Sequence, residues 1–145
     1  MKLVLDTVVL VRALMGPAGP QGRLIFDPRL DFEWITSPDI VDEYQDVLHR
    51  PELESRFRRL ADRTVERLLE RVERSTKVEP EFVLRICRDP HDDMFLAAAL
   101  VGGAEAIVSE DRDLLSMEKY EGIRICTTQT MIGILAERDG LEDTQ

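Results

Sequence analysis

The residues able to do chemistry are acids placed where strand patterns stop. Asp6 closes the apolar run at 2–5, and Asp111 and Asp113 follow a second apolar run at 104–109. In an open parallel α/β sheet, ligands bind beyond the carboxyl ends of the strands, where strand order reverses. If the two runs are neighbours at that point, Asp6 and Asp111 converge on one crevice. Helical patterns supply two further acids. Glu43 lies three residues after Ile40 and four before Val47, on the edge of an otherwise apolar helix face. Asp93, with Asp92 before it, falls in the first turn of an all-apolar helix, where the dipole favours an anion. Singly, each has a plain structural reading as a cap, a turn residue, a dipole partner or a solvated glutamate. Gathered at one point they would repel strongly. A hard divalent cation that prefers oxygen ligands, Mg²⁺ or Mn²⁺, makes such a grouping tolerable. Such an ion lowers the pKa of a bound water and stabilises negative charge as it develops on an oxygen.

Those acids need a scaffold, and the pattern of elements describes one. Strand patterns at 2–5, 32–36, 104–109 and 123–126, with a short edge strand at 77–79, alternate with helical patterns. Near-continuous apolar runs such as Leu3-Val4-Leu5 suit the buried strands of a parallel sheet. Helices are expected at 7–15 and 21–26, and from Ser37-Pro38, a cap followed by proline at the first helical position, to the limit set by Pro51. Two more cover 52–60 and 62–75, the second with the apolar stripe Val65, Leu68, Leu69 and Val72. Another opens at Asp89-Pro90 and stops at Gly102-Gly103, and a last one, capped by Thr127 or Thr128, runs to about Arg138. The chain reads as a single domain over 1–140 with a frayed tail at 141–145.

Composition narrows the function. The 145 residues carry 29 acidic and 19 basic side chains, a formal charge of −10, which argues against a basic nucleic-acid-coating protein. Cys87 and Cys126 are too few for a disulfide framework and fall in interior-looking segments. No Cys/His cluster suggests zinc, and no glycine-rich Walker loop is present. The N-terminal run is interrupted by Asp6 and Arg12 and is too short to span a membrane, so a cytoplasmic protein without membrane contact is expected.

Four segments carry a resemblance: Leu3-Val4-Leu5-Asp6-Thr7; 37–44, SPDIVDEY; 87–97, CRDPHDDMFLA; and 108–115, VSEDRDLL. In order and spacing they resemble the PIN-domain proteins, most closely the branch similar to VapC toxins of toxin–antitoxin systems, over about residues 2–136. The resemblance implies a three-layer α/β/α sandwich with a parallel sheet in strand order 3-2-1-4-5. It also implies a Mg²⁺- or Mn²⁺-dependent ribonuclease whose catalytic and metal-binding positions are Asp6, Glu43, Asp93 and Asp111. Asp113, Ser109 and Thr7 would support them. An RNA substrate, a small antitoxin partner and a homodimer are implied with it. Three positions depart from the family pattern: Val8 replaces a usual Asn, His91 a common Asp, and Glu110 a Gly or Asn.

For an acidic nuclease, the RNA backbone needs a basic contact. Arg56, Arg59, Arg63, Arg67, Arg71 and Arg74 recur at helical spacing, with Asp62, Glu66, Glu70 and Glu73 on the adjacent stripe. A solvated helix laced with local ion pairs is the plainer reading of this pattern. Arg12, Arg23 and Arg88 are alternative phosphate contacts. The alternative function is a catalytically degenerate PIN module serving as a protein-binding or dimerisation unit, which Val8 and the negative charge motivate. A phosphoryl-transfer receiver or phosphatase fits poorly, because Val8 stands where the phosphatase pattern wants a second Asp.

Overall fold

The computed structural model describes residues 1–57 and 63–140. Its centre is β1 (Lys2–Leu5), whose Leu3, Val4 and Leu5 are wholly buried. Burial on both faces is what a continuous apolar run demands of a central parallel strand. Beside it lie β2 (Glu33–Thr36) and β4 (Ala106–Val108), both parallel, with Leu3 opposite Trp34 and Leu5 opposite Val108. The short β3 (Thr76–Lys77) adds to β2, and β6 (Ile123–Cys126) adds to β4. A two-residue strand, β5 (Lys119–Tyr120), folds back antiparallel on β6, so the full order is β3-β2-β1-β4-β6-β5. Without β5, which is too short to leave a pattern in the sequence, this is the expected 3-2-1-4-5 order. The edge strand at 76–77 sits slightly ahead of its expected place at 77–79.

Helices complete a three-layer α/β/α sandwich. α1 (Thr7–Met15) starts directly from β1 and packs on α2 (Pro20–Phe26), which in turn meets the C-terminal α8 (Thr128–Arg138). α3 (Pro38–Leu48) begins where expected: the Ser37 hydroxyl accepts the Ile40 N–H at 3.2 Å and Pro38 occupies the first turn. Its C-terminus is closed by His49, whose Nδ1 lies 2.6 Å from the Gln45 carbonyl. α4 (Pro51–Phe57) and α5 (Thr64–Glu73) follow, with Leu68 and Val72 of the predicted stripe buried and Val65 and Leu69 half-buried. A single 3₁₀ turn at Pro90–Asp92 leads into α6 (Asp93–Gly102), which lies against β1, β2 and β4. Gly103, at φ +64°, ends it in the left-handed conformation that a side chain would strain. α7 (Arg112–Leu115) is a single turn after β4. The expected tail at 141–145, and Arg59 and Asp62 of the charged stripes, lie outside the described residues. Cys126 is buried, Cys87 half-buried, and both are free thiols.

Candidate active site

Strand order reverses between β1 and β4, and the two segments leave the sheet side by side there. The Asp6 N–H donates to the Val108 carbonyl at 3.0 Å, extending the ladder by one rung. The Asp6 side chain, 4% exposed, caps α1 by accepting the Val9 N–H on Oδ1 at 3.1 Å. Its Oδ2 accepts the Ser109 hydroxyl and, at 3.2 Å, the Glu110 N–H. Burial holds the Asp6 carboxyl above its ordinary range; the hydrogen bonds from Ser109, Val9 and Glu110 oppose this, and the Glu110 charge adds to it. The fully buried Ser109 hydroxyl also accepts the Asp111 N–H at 2.9 Å. One side chain thus ties the acid after β1 to the backbone after β4. Asp111 is half-buried and caps α7 by accepting the Asp113 N–H at 2.8 Å, while Asp113 itself is exposed.

Glu43 arrives from α3. Its Oε2 accepts the Thr7 hydroxyl at 3.4 Å, and its Oε1 lies 3.9 Å from Nδ1 of the exposed His91. The next residue, Tyr44, is fully buried and donates its hydroxyl to the Leu5 carbonyl at 2.5 Å, locking α3 to the end of β1. Burial keeps that phenol protonated far above its ordinary pKa.

In the segment at 87–97 the structure gives the two adjacent acids different surroundings. Asp93 is buried, but it turns to the preceding loop: its Oδ1 accepts the N–H groups of Ile86 at 3.0 Å and Cys87 at 2.8 Å. Asp92 is the acid that faces the others. It is 8% exposed, and its Oδ2 has no hydrogen-bond partner among the described residues. Its carboxyl is pushed up to about 6, first by burial, then by the negative charges of Asp111, Asp89, Asp6 and Asp113. Cys87 feels Asp93, Asp92 and Asp111 as well; mainly through burial, its thiol is pushed up to about 12, which leaves it protonated and inert as a nucleophile.

Sequence reasoning treated Glu110 only as a departure from a pattern. Its carboxylate accepts Gln21 Nε2 at 3.3 Å and the Thr128 N–H at 3.0 Å, with Arg12 Nη1 at 3.7 Å. It therefore joins α1, α2 and the start of α8 immediately behind Asp6. Val8 sits in the first turn of α1, 41% exposed, and offers no polar atom to the site.

Among the described residues, no three His, Cys, Asp or Glu side chains stand in an arrangement that would by itself hold a metal ion. The donor chemistry nevertheless fits a hard cation: oxygens only, one of them buried and unpartnered, on a carboxyl perturbed by like charges. Mg²⁺ commonly keeps several waters and takes only one or two protein carboxylates, so a pre-formed cage is not required.

Residues 2–113 match the family model described as the PIN domain. The chain belongs to the PIN-domain family. PIN domains are generally nucleases and generally use divalent metals. The crystal structure of PAE2754 from Pyrobaculum aerophilum shares the fold, with a TM-score of 0.60 over 94% of this chain and 90% of that one, at 19% identity. No curated protein matches the sequence. No helix among the described residues of this PIN domain is long and apolar enough to cross a membrane.

Proposed function

We propose that this PIN domain is a Mg²⁺- or Mn²⁺-dependent endoribonuclease, the toxin component of a toxin–antitoxin pair. The observation that carries the nuclease reading is Asp92: a buried carboxyl with an unpartnered oxygen, raised to about 6 by burial and the acids around it, beyond the carboxyl ends of β1 and β4. Asp6, Asp92 and Asp111 would hold the metal, with Glu43 and Asp113 at the rim. A bound divalent ion supplies a water of lowered pKa and neutralises charge on the leaving oxygen. The chain's own residues do the positioning. Ser109 and the Val9 and Glu110 N–H groups fix the Asp6 carboxylate, Thr7 orients Glu43, and Tyr44 fixes the carbonyl just before Asp6. Asp93 holds the 86–87 loop against the start of α6 through one carboxylate oxygen.

The toxin role, the antitoxin and the homodimer rest on the likeness of the four sequence segments to VapC toxins, and a cytoplasmic setting on the N-terminal run interrupted by Asp6 and Arg12. The reading of a degenerate module is favoured by one observation, the apolar Val8 at the site. One experiment separates them: labelled RNA incubated with purified protein, with and without Mn²⁺, beside Asp6→Asn and Asp92→Asn. Metal-dependent cleavage lost in both variants supports the nuclease. Cleavage equal in all three would end the mechanism, and no cleavage by the wild type leaves the binding module.

A further inference from the structure

We infer that a cleft at the opposite end of the parallel strands is a second contact for the phosphates of an RNA strand, built from the arginines of α5. Phe32, Glu33 and Trp34 begin β2 and Thr76 begins β3, whereas the acids follow the ends of the parallel β1 and β4. The cleft has a volume of about 530 Å³ and runs between the loop after α2 and the outer face of α5. Arg67, Arg71 and Arg74 line it, spaced four and three residues apart on one helix face.

The packing of these side chains decides what they are for. Arg67 lies over the Phe26 ring at 4.9 Å, and Arg71 lies over Phe32 at 5.0 Å and Trp34 at 5.9 Å. Arg71 also donates through Nη1 to the Ile25 carbonyl, which fixes its plane. Among the described residues, none of the three guanidiniums has a carboxylate within 4.0 Å, although other arginines of the chain do. The acids at the cleft are mostly engaged elsewhere. Asp27 is held by Arg29 and Arg23, Glu33 accepts the Thr76 hydroxyl at 3.0 Å, and Glu70 reaches Arg63 at 4.0 Å. Asp31 acts on Arg71 only through its charge, from beyond ion-pair distance. Arg71 is half-buried, and burial, with the charge of Arg74 beside it, lowers its pKa, while Asp31 opposes this.

That arrangement specifies the ligand's chemistry. Guanidinium forks with free N–H groups match phosphate oxygens. The aromatic faces that would stack a base are already covered by arginines, so the cleft reads backbone phosphate and not base identity. An RNA strand engaged by the acids at one end of the sheet would be held at the other end by a contact indifferent to sequence. The inference rests on the ribonuclease reading, and it predicts binding independent of cleavage.

The test is binding of a fluorescent single-stranded RNA 20-mer in EDTA, where no cleavage occurs, across a series of salt concentrations. For wild type against Arg67→Gln/Arg74→Gln, the double variant is expected to bind roughly tenfold more weakly. Its plot of log affinity against log salt should be shallower by about 0.7 for each phosphate that the variant no longer neutralises. A fold defect alone does not change that slope. Arg138→Gln, whose exposed guanidinium pairs with Glu105 away from the cleft, is the control expected to leave both unchanged. With Mn²⁺, the double variant should raise KM on the long RNA and leave kcat unchanged. Unchanged affinity and slope in a folded double variant would overturn the inference, as would binding of poly-aspartate in preference to RNA by the wild type. If wild type binds RNA with the predicted slope difference but never cleaves it, the exosite stands and the ribonuclease reading falls.

Discussion

Burying a carboxyl among other acids destabilises the fold that does so, and Asp92 shows by how much. Its carboxyl rises on folding from an ordinary 3.8 to about 6. The proton is therefore held more tightly in the native state. Stability from this group is fully present below the unfolded value near 3.8 and is lost as pH rises through about 6. A shift of this size corresponds to at most roughly 3 kcal/mol by the conversion of about 1.4 kcal/mol per unit. Asp92→Asn keeps the shape and removes the charge, so the metal-free variant should be more stable than wild type at pH 7.5 and equal to it near pH 4. At about 2.1 cal/mol/K per residue, unfolding of a chain this long carries roughly 0.3 kcal/mol/K, so the full effect is about 10 °C in Tm. The assay is thermal unfolding in EDTA, followed by circular dichroism, at steps between pH 4 and 8. Added Mn²⁺ should then close most of the gap: wild type gains about 2.7 kcal/mol at a metal concentration 100 times Kd, and the variant gains less. A variant no more stable than wild type at pH 7.5 in EDTA, or equally stabilised at pH 4 and pH 7.5, would refute the idea that these acids share one pocket.

Three further substitutions probe the supports. Asp93→Asn keeps an oxygen to accept the Ile86 and Cys87 N–H groups, so it should retain most activity, in contrast to near-complete loss in Asp92→Asn; steady-state RNA cleavage by the two variants compares them directly. Tyr44→Phe leaves the Leu5 carbonyl without its buried donor and should lower stability by about 1–3 kcal/mol, read by urea denaturation, with a fall in kcat because that carbonyl precedes Asp6. In Gly22→Ala the new Cβ would stand 2.0 Å from the Pro17 carbonyl oxygen, so the 17–22 segment must shift; the expected loss is about 1–3 kcal/mol, seen as a lower Tm.

The fold was largely legible because its signals are local and redundant. Leu3-Val4-Leu5 can only be a strand buried on both faces, Ser37-Pro38 writes a helix start in two residues, and Gly103 writes a stop. β5 was not legible: two residues held mainly by pairing with β6 have no period to detect. The arginines of α5 were legible as a stripe but not as a cleft. Their partners Phe26, Phe32 and Trp34 come from other segments, and only the tertiary structure brings the rings beneath the guanidiniums. Glu110 was similarly opaque, since its contacts reach back to Gln21 and forward to Thr128.

The distinction between Asp92 and Asp93 shows where a sequence argument about a site must stop. Both are acids, both are buried, and both stand at the start of one apolar helix. Successive residues of a helix differ by about 100° in direction, so adjacent acids cannot serve the same pocket equally. The choice is made by the 3₁₀ turn at Pro90–Asp92, which sets the phase at which α6 begins, and by the loop at 86–87, whose N–H groups need an acceptor. Asp93 meets that backbone demand, and Asp92 is left with an oxygen for which the described protein residues provide no donor. Hydrogen-bond demand from a neighbouring loop thus separates the surroundings of two adjacent carboxylates, which acidity and position in a motif leave alike.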